Sequence, residues 1–426
     1  MICPAPARSP GRGRAGRGRN MAQYFGLLLL GAGAYIILWR EGMFRKNANL
    51  FLSAAAIAAA MLLRGLCMEH ETLDYQNFLK GWVQFYRDNG GVSALGRSVG
   101  NYNVPYLYFL ALISYSGVRD LYLIKLFSVL FDVLLAWGVL RLVRHTARSD
   151  NAGLMGFLIT LLLPTVLLNG SYWGQCDSVY AAFALWSVAL ALERRPVGAV
   201  VCAALSFAFK LQAVFLLPVF LVFIFAGRVK WRHLLAFPLT YLLVAAPAVL
   251  AGRPFLDTLL LYVDQADTVG GGLNYNSSSI YAFLPYGAEV DTELLANLGI
   301  AAAFSFLILL YILCFVRRRR LDDTALLACA VLVSVAVPFL LPHMHDRYFF
   351  LADVLSLALA LVCPPLFALP FLAGFASLLG YHAYLRMRYL LPMSYGAAAL
   401  AAAVLLLCAY LVWLLCLRPP AHGKRR

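Results

Sequence analysis

An all-α, polytopic transmembrane architecture is the fold class this sequence predicts, and three observations carry the prediction. Of the 426 residues, 62% are hydrophobic and only 13% are charged, about half the charged share of an ordinary soluble domain. The apolar residues come in blocks near the ~20 residues that an α-helix needs to cross a bilayer. Short polar joints separate the blocks, so the chain reads as one membrane domain rather than two soluble ones.

Taken in order, the segment 1–21 comes first. Its arginines Arg8, Arg12, Arg14, Arg17 and Arg19 lie among Pro and Gly without periodicity, which predicts a disordered basic segment. Met21 opens directly into an apolar run and offers an alternative start. Residues 22–417 form the membrane domain, and 418–426 a basic cytoplasmic tail. Candidate spans are 22–39, 49–67, 120–142, 152–169, 177–193, 197–209, 211–226 and 233–251. Further spans are 294–316, 324–341, 348–362, 365–381 and 391–417, giving about 11 to 13 crossings.

The net charge of +15 does not indicate nucleic acid. Outside the first segment, most cations sit in joints or the tail: Arg40/Arg45/Lys46, Arg141/Arg144/Arg148, Arg194/Arg195, Arg228/Lys230/Arg232, Arg317 to Arg320, and Arg418, Lys424, Arg425 and Arg426. The positive-inside rule puts such joints in the cytoplasm. The parity of crossings then requires that 104–117, which is short and carries Pro105, be an interfacial or re-entrant helix on the outer face. Two neighbouring short crossings, 197–209 and 211–226, meet at a turn carrying Lys210. The nine cysteines are scattered, with no zinc or disulfide spacing, and read as small core residues.

This arrangement places four polar segments on the non-cytoplasmic side: 69–120, 169–177, 252–292 and 342–347. In the first, Asp74, Phe78, Trp82 and Phe85 recur at three- and four-residue steps and share one face of a helix lying along the membrane surface. Asp74 either caps that helix or carries chemistry. In the second, Trp173, Gln175 and Asp177 open a span. Asp177 at a helix start satisfies the helix dipole, while the neighbouring glycines and aromatic residues suit a shaped, sugar-binding site. The third carries Asp264, Gln265 and Asp267 and then GGGLNYNSSS, either a mobile loop that closes over substrate or a plain connector.

The fourth segment compresses His343, His345, Asp346 and Arg347 between two strongly apolar spans. Ionisable groups at such depth are costly and usually functional. Two histidines and an aspartate admit a zinc reading, but no further ligands are fixed by spacing. An anion site is preferred, with Arg347 donating to a phosphate, His343 or His345 assisting, and Lys210 and Lys125 adding charge. Snorkelling to the interface is the alternative for both lysines.

An acidic first outer loop, a WGQCDS segment and an HMHDR segment on a helical membrane protein together resemble the GT-C superfamily of glycosyltransferases. Within it the chain is most similar to bacterial relatives of the second GPI mannosyltransferase. It is more distantly similar to the glucosyltransferases that extend the dolichol-linked oligosaccharide. The likeness runs over most of the chain from about residue 49. It departs from the pattern in two places: the first loop has no Asp-X-Asp pair, and an extra apolar run precedes residue 49.

The resemblance implies a transferase that uses a polyprenyl-phosphate-linked hexose, undecaprenyl or dolichyl, and passes the sugar to a glycan or lipid-linked acceptor. It implies Asp74 as the base, with His343, His345, Arg347 and Lys210 at the donor phosphate. Trp173, Gln175, Asp177 and Trp82 would contact sugar or acceptor. No cofactor is expected, and a divalent metal is the less favoured option. The lipid bilayer is the expected surrounding, nucleic acid is not a partner, and the resemblance leans towards a bacterial cytoplasmic membrane with an outward-facing site. The rival readings are a transporter or flippase of a lipid-linked or small polar substrate, and a non-catalytic protein that binds lipid carriers.

Overall fold

The computed structural model describes residues 21–268, 271–285 and 287–419, without the side chains of 263–268. The basic segment 1–20, the tail beyond Pro419 and the side chains of Asp264, Gln265 and Asp267 therefore lie outside the described residues. Helices dominate. Among the described residues, strand pairing is confined to a parallel bridge of Asn274–Tyr275 with Met344–His345.

The chain opens with α1 (Ala22–Arg40) and α2 (Asn47–Cys67), which pack on each other. A π-helical turn, Tyr75–Leu79, runs into α3 (Lys80–Asp88). Next comes α4 (Val104–Ile113), started by the Asn103 side chain, which accepts from the Val104 amide, with Pro105 in its first turn. The 28 residues of α5 (Asp120–Ala147) rise roughly 42 Å, enough to cross a bilayer with its interfaces. The Ser149 hydroxyl caps α6 (Asp150–Leu162). Leu163 precedes Pro164 and is extended, as a pre-proline residue favours. The path therefore bends by 44° into α7 (Pro164–Leu167) and the π-helical turn Leu168–Trp173.

The centre of the bundle is α8 (Asp177–Leu192), packed between α5 and α9 (Pro196–Phe209). Then come α10 (Val219–Phe225), α11 (Ala236–Leu250), α12 (Phe255–Thr268) and α13 (Thr292–Val316). The last four are α14 (Asp323–Leu340), α15 (Phe350–Val362), α16 (Leu369–Arg386) and α17 (Met393–Val412). Asp291 and Asp322 cap α13 and α14 by accepting from the Leu294 and Ala325 amides. α14 is buried along almost its whole length, whereas α1, α11 and α13 turn leucines outward, among them Leu28, Leu243 and Leu309. Apolar exteriors around satisfied helical backbones fit a lipid surrounding.

Among the described residues, eight helical stretches are long and apolar enough to cross a membrane, or nine with the bent α6–α7 path as one span. The shorter apolar helices α8, α9, Leu211–Phe225 and α15 fall on the remaining expected crossings. At ten residues, about 15 Å, α4 is too short to cross.

The ion pairs sort the connections into two ends. At one end Glu41 meets Arg141 and Arg144, Glu193 meets Arg141, and Asp150 meets Arg45 and Arg144. There too Asp323 meets His145 and Arg228, Asp322 meets Arg418, and Arg320 donates to the Arg418 carbonyl. The basic joints of the sequence thus gather on one side of the bundle. At the opposite end of α5, Arg119 pairs with Glu69 and Glu71. Both flanks of α4 lie at this second end, since Tyr102 reaches Gln175 and Arg119 reaches Glu69. α9 runs from Arg195, beside Glu193, to Lys210 at the second end, and the chain returns to Arg228 at the first. The two short expected crossings 197–209 and 211–226 therefore do traverse the bundle.

A charged group within the bundle is fully enclosed. Arg64 of α2 and Asp132 of α5, both 0% exposed, pair at 2.8 Å. Arg64 also donates to the carbonyl of Leu161 at 2.7 Å, beside the α6–α7 bend, and Asp132 accepts from the Ser178 hydroxyl of α8. The pair ties four helices beneath the start of α8.

Candidate active site

At the second end a cavity of about 430 Å³ opens between the first polar segment, the start of α8, the Lys210 turn and the His-rich segment. Asp74 is its central acid. Its backbone is already helical and its side chain makes no capping bond, which removes the capping reading. The carboxylate instead reaches across the bundle. Oδ2 accepts from the Trp173 indole N–H at 2.8 Å and from the Gln175 amide, and Oδ1 accepts from the Tyr384 hydroxyl at the end of α16.

The local backbone explains how these groups meet. The π-helical turn Tyr75–Leu79 follows Asp74 directly, and a second π-helical turn ends at Trp173. Such turns cluster at functional sites because the extra residue re-aims the side chains around it. In the first segment Tyr75, Leu79, Val83 and Tyr86 are buried in the core. Asp74, Phe78 and Trp82, expected to lie along the membrane surface, face the cavity. Gly174 adopts φ +81°, a left-handed conformation that glycine tolerates. This turn lets the Gln175 amide close on the Asn169 carbonyl at 3.0 Å. The Gln175 side chain is held further by the Tyr102 hydroxyl at 3.3 Å.

Lys210 and Arg347 supply the cations of the cavity wall. The Lys210 ammonium donates to Asp177 Oδ1, and Arg347 Nε stands 3.7 Å from Asp177 Oδ2. Oδ2 also accepts from Asn169 at 2.7 Å. The Arg347 guanidinium carbon lies 5.5 Å from the centre of the Trp173 ring. The guanidinium donates no direct hydrogen bond among the described residues, which leaves its fork open to a ligand.

Several sequence expectations change in detail. Trp173 and Asp177, expected at the sugar, are each 1% exposed and stand behind the cavity wall. Trp173 is occupied by Asp74 and by stacking on Tyr384 at 4.8 Å. Gln175 and Trp82 do line the cavity. His343 turns away, with its ring nitrogen 2.8 Å from the Gly272 carbonyl and its backbone at φ +63°. His345 lines the cavity and stacks on Tyr275 at 4.7 Å. Burial, with the Arg347 and Lys210 cations, pushes His345 down to about 4. It is neutral near pH 7 and adds no positive charge to an anion site. Lys125 lies elsewhere, donating to the carbonyls of Cys67 at 2.7 Å and His70 at 2.6 Å. There it satisfies the end of α2 as a cation suits a helix C-terminus. No group of three metal-ligating side chains converges among the described residues.

The loop 252–292 is not a free flap where it is described. Asn274–Tyr275 pair with the His-rich segment, and Ser278 donates to the Ala376 carbonyl at 3.1 Å. Gly380 lets α16 approach closely, since a Cβ there would stand 2.7 Å from the Asp346 carbonyl and 2.9 Å from that of Asn276. Asp346 is 4% exposed with its Oδ1 lacking a hydrogen bond. Burial pushes it up to about 7, opposed by Arg347 and reinforced by Asp74 and Asp177.

Fold and site together define a polytopic membrane protein with an acid and two cations facing one cavity. The model of glycosyltransferase family 87 matches residues 101–342, more than half of the chain. The chain belongs to that family and is a glycosyltransferase, in keeping with the GT-C likeness of its sequence. The transporter and lipid-carrier readings are set aside. The match includes Trp173, Gln175, Asp177 and Lys210, while Asp74, Arg347 and Tyr384 lie outside it. No curated protein gives a match.

Proposed function

We propose that this glycosyltransferase moves a hexose of mannose or glucose type from a polyprenyl-phosphate donor to a lipid-linked or cell-envelope glycan acceptor, with inversion. The observation that carries the reading is the opposition of Asp74, held by three donors, to Lys210 and Arg347 across one cavity. A carboxylate has about four lone-pair sites. Two on Oδ2 and one on Oδ1 are filled, so one on Oδ1 is left for an acceptor hydroxyl. In the reaction that hydroxyl oxygen attacks the anomeric carbon and its proton passes to Asp74. The bond from the anomeric carbon to the phosphate oxygen breaks, and its electron pair leaves with the phosphate. Lys210 and Arg347 stabilise the charge that develops there.

Apolar side chains beside the cations, Phe209 and Leu211, suit the first isoprene units of a lipid donor. Trp82 and Gln175 suit the sugar by ring packing and hydrogen bonding. With the basic end of the bundle in the cytoplasm, the cavity opens on the non-cytoplasmic face, in a bacterial cytoplasmic membrane with undecaprenyl carriers. Residues 22–417 act as a single catalytic membrane domain.

The test is a panel of radiolabelled polyprenyl-phosphate hexoses, nucleotide hexoses and membrane-lipid acceptors given to purified wild type. Consumption of one donor, with a product of opposite anomeric configuration, is expected. Consumption of a nucleotide sugar instead, or a product of retained configuration, would overturn the reading.

A further inference from the structure

Asp177 has no role in the chemistry proposed above, yet it is more deeply buried than Asp74 or Asp346, the other carboxylates beside the cavity. It sits in the first turn of α8, 1% exposed, behind the wall that Lys210 and Arg347 form. One oxygen takes the Lys210 ammonium. The other takes Asn169, itself 3.2 Å from the Tyr381 hydroxyl, and faces Arg347 Nε at 3.7 Å. The helix N-terminus adds its own preference for negative charge. Asp177 is thus fixed from several directions, and the two cations are fixed by it.

We propose that Asp177 is a positioning residue, a buried counter-anion that aims Lys210 and Arg347 at the donor phosphate and limits their joint grip on the phosphate that is released. The inference rests on the phosphate-linked donor proposed above. A sugar-phosphate diester carries one negative charge, whereas the released monoester carries about 1.5 to 2 at neutral pH. Two cations without a counter-charge would hold the product more tightly than the donor, and product release would limit turnover. With Asp177 behind them the pair presents one positive charge fewer. The partial wall between cavity and carboxylate keeps Asp177 from meeting the phosphate directly.

The test measures binding of a short-chain polyprenyl phosphate to the full chain in nanodiscs, together with kcat and KM for the donor. Asp177→Asn keeps the shape and removes the charge. It is expected to bind the polyprenyl phosphate about tenfold more tightly and to lower kcat, with KM unchanged or lower. Lys210→Met is expected to weaken binding about tenfold. Adding Asp177→Asn to Lys210→Met restores the net charge and is expected to return binding to near the wild-type value. That rescue decides the matter even if Asp177→Asn alone does not fold. A double variant that binds as weakly as Lys210→Met, or an Asp177→Asn protein that loses affinity, overturns the counter-anion role while leaving the proposed reaction standing. Failure of wild type to bind polyprenyl phosphate at all overturns both.

Discussion

The Tyr384 hydroxyl is the single protein partner of Asp74 Oδ1 among the described residues, so Tyr384→Phe isolates how the acid is aimed. The substitution removes one oxygen and keeps the ring on Trp173 at 4.8 Å. A hydrogen bond to a charged group contributes ~1.5–3 kcal/mol. If that contribution is lost wholly from the transition state, the rate falls roughly 10- to 150-fold. Asp74 is only partly buried, and water can take the vacated place in the ground state. Stability should therefore fall by less than ~1.5 kcal/mol. The expected result is a 10- to 100-fold lower kcat with donor KM nearly unchanged and a small shift in melting temperature. Steady-state assays with thermal unfolding check it, with Tyr381→Phe, which touches Asn169 instead, as the comparison. A Tyr384→Phe enzyme within twofold of wild type in kcat would refute the argument that α16 orients the acid.

Other consequences follow from the same structure. Asp346 is pushed up to about 7 by burial, opposed by Arg347, whereas an unfolded aspartate titrates near ~3.9. Between those values the folded protein binds more protons than the unfolded one, so stability falls as pH rises from about 4 to 7; Asp346→Asn should flatten that slope in melting curves taken at pH 5 and 8. Chelation with EDTA should leave turnover unchanged, because Lys210 and Arg347 supply the charge that a metal would; loss of activity restored by a divalent cation would contradict this. Arg64→Met leaves Asp132 as an uncompensated buried charge and should cost about 3–5 kcal/mol, seen as loss of folded protein in detergent. Arg64→Met with Asp132→Leu should recover most of that yield.

Much of the fold was legible because hydropathy and the basic joints are local signals. The helix blocks, the non-crossing 104–117 segment and the Lys210 turn all follow from length and charge parity. Asp74, Gln175, Lys210 and Arg347 were readable as polar residues at the ends of apolar blocks, and the structure brings them to one cavity. Tyr384 was missed although parity requires a further outer segment between 365–381 and 391–417. A tyrosine near a helix end carries no spacing signal that links it to an acid 310 positions away. Arg64 and Asp132 were absorbed into apolar blocks, where a pairing across helices is invisible to any window along one of them. The orientations of His343 and Trp173 were not legible for a similar reason. Composition names the groups near a site, but which way each ring turns depends on partners such as Gly272 and Tyr384.

The most direct test of the central claim is a single-turnover comparison of wild type and Asp74→Asn in proteoliposomes loaded with the donor that wild type consumes. The asparagine carbonyl can take the Trp173 and Gln175 donors, and the Tyr384 hydroxyl can rotate to accept from its amide, so the fold should survive. The account predicts unchanged donor binding and a loss of polyprenyl phosphate release of about 10²–10⁴-fold. Release within tenfold of wild type, at equal donor occupancy, would contradict it and remove Asp74 as the base.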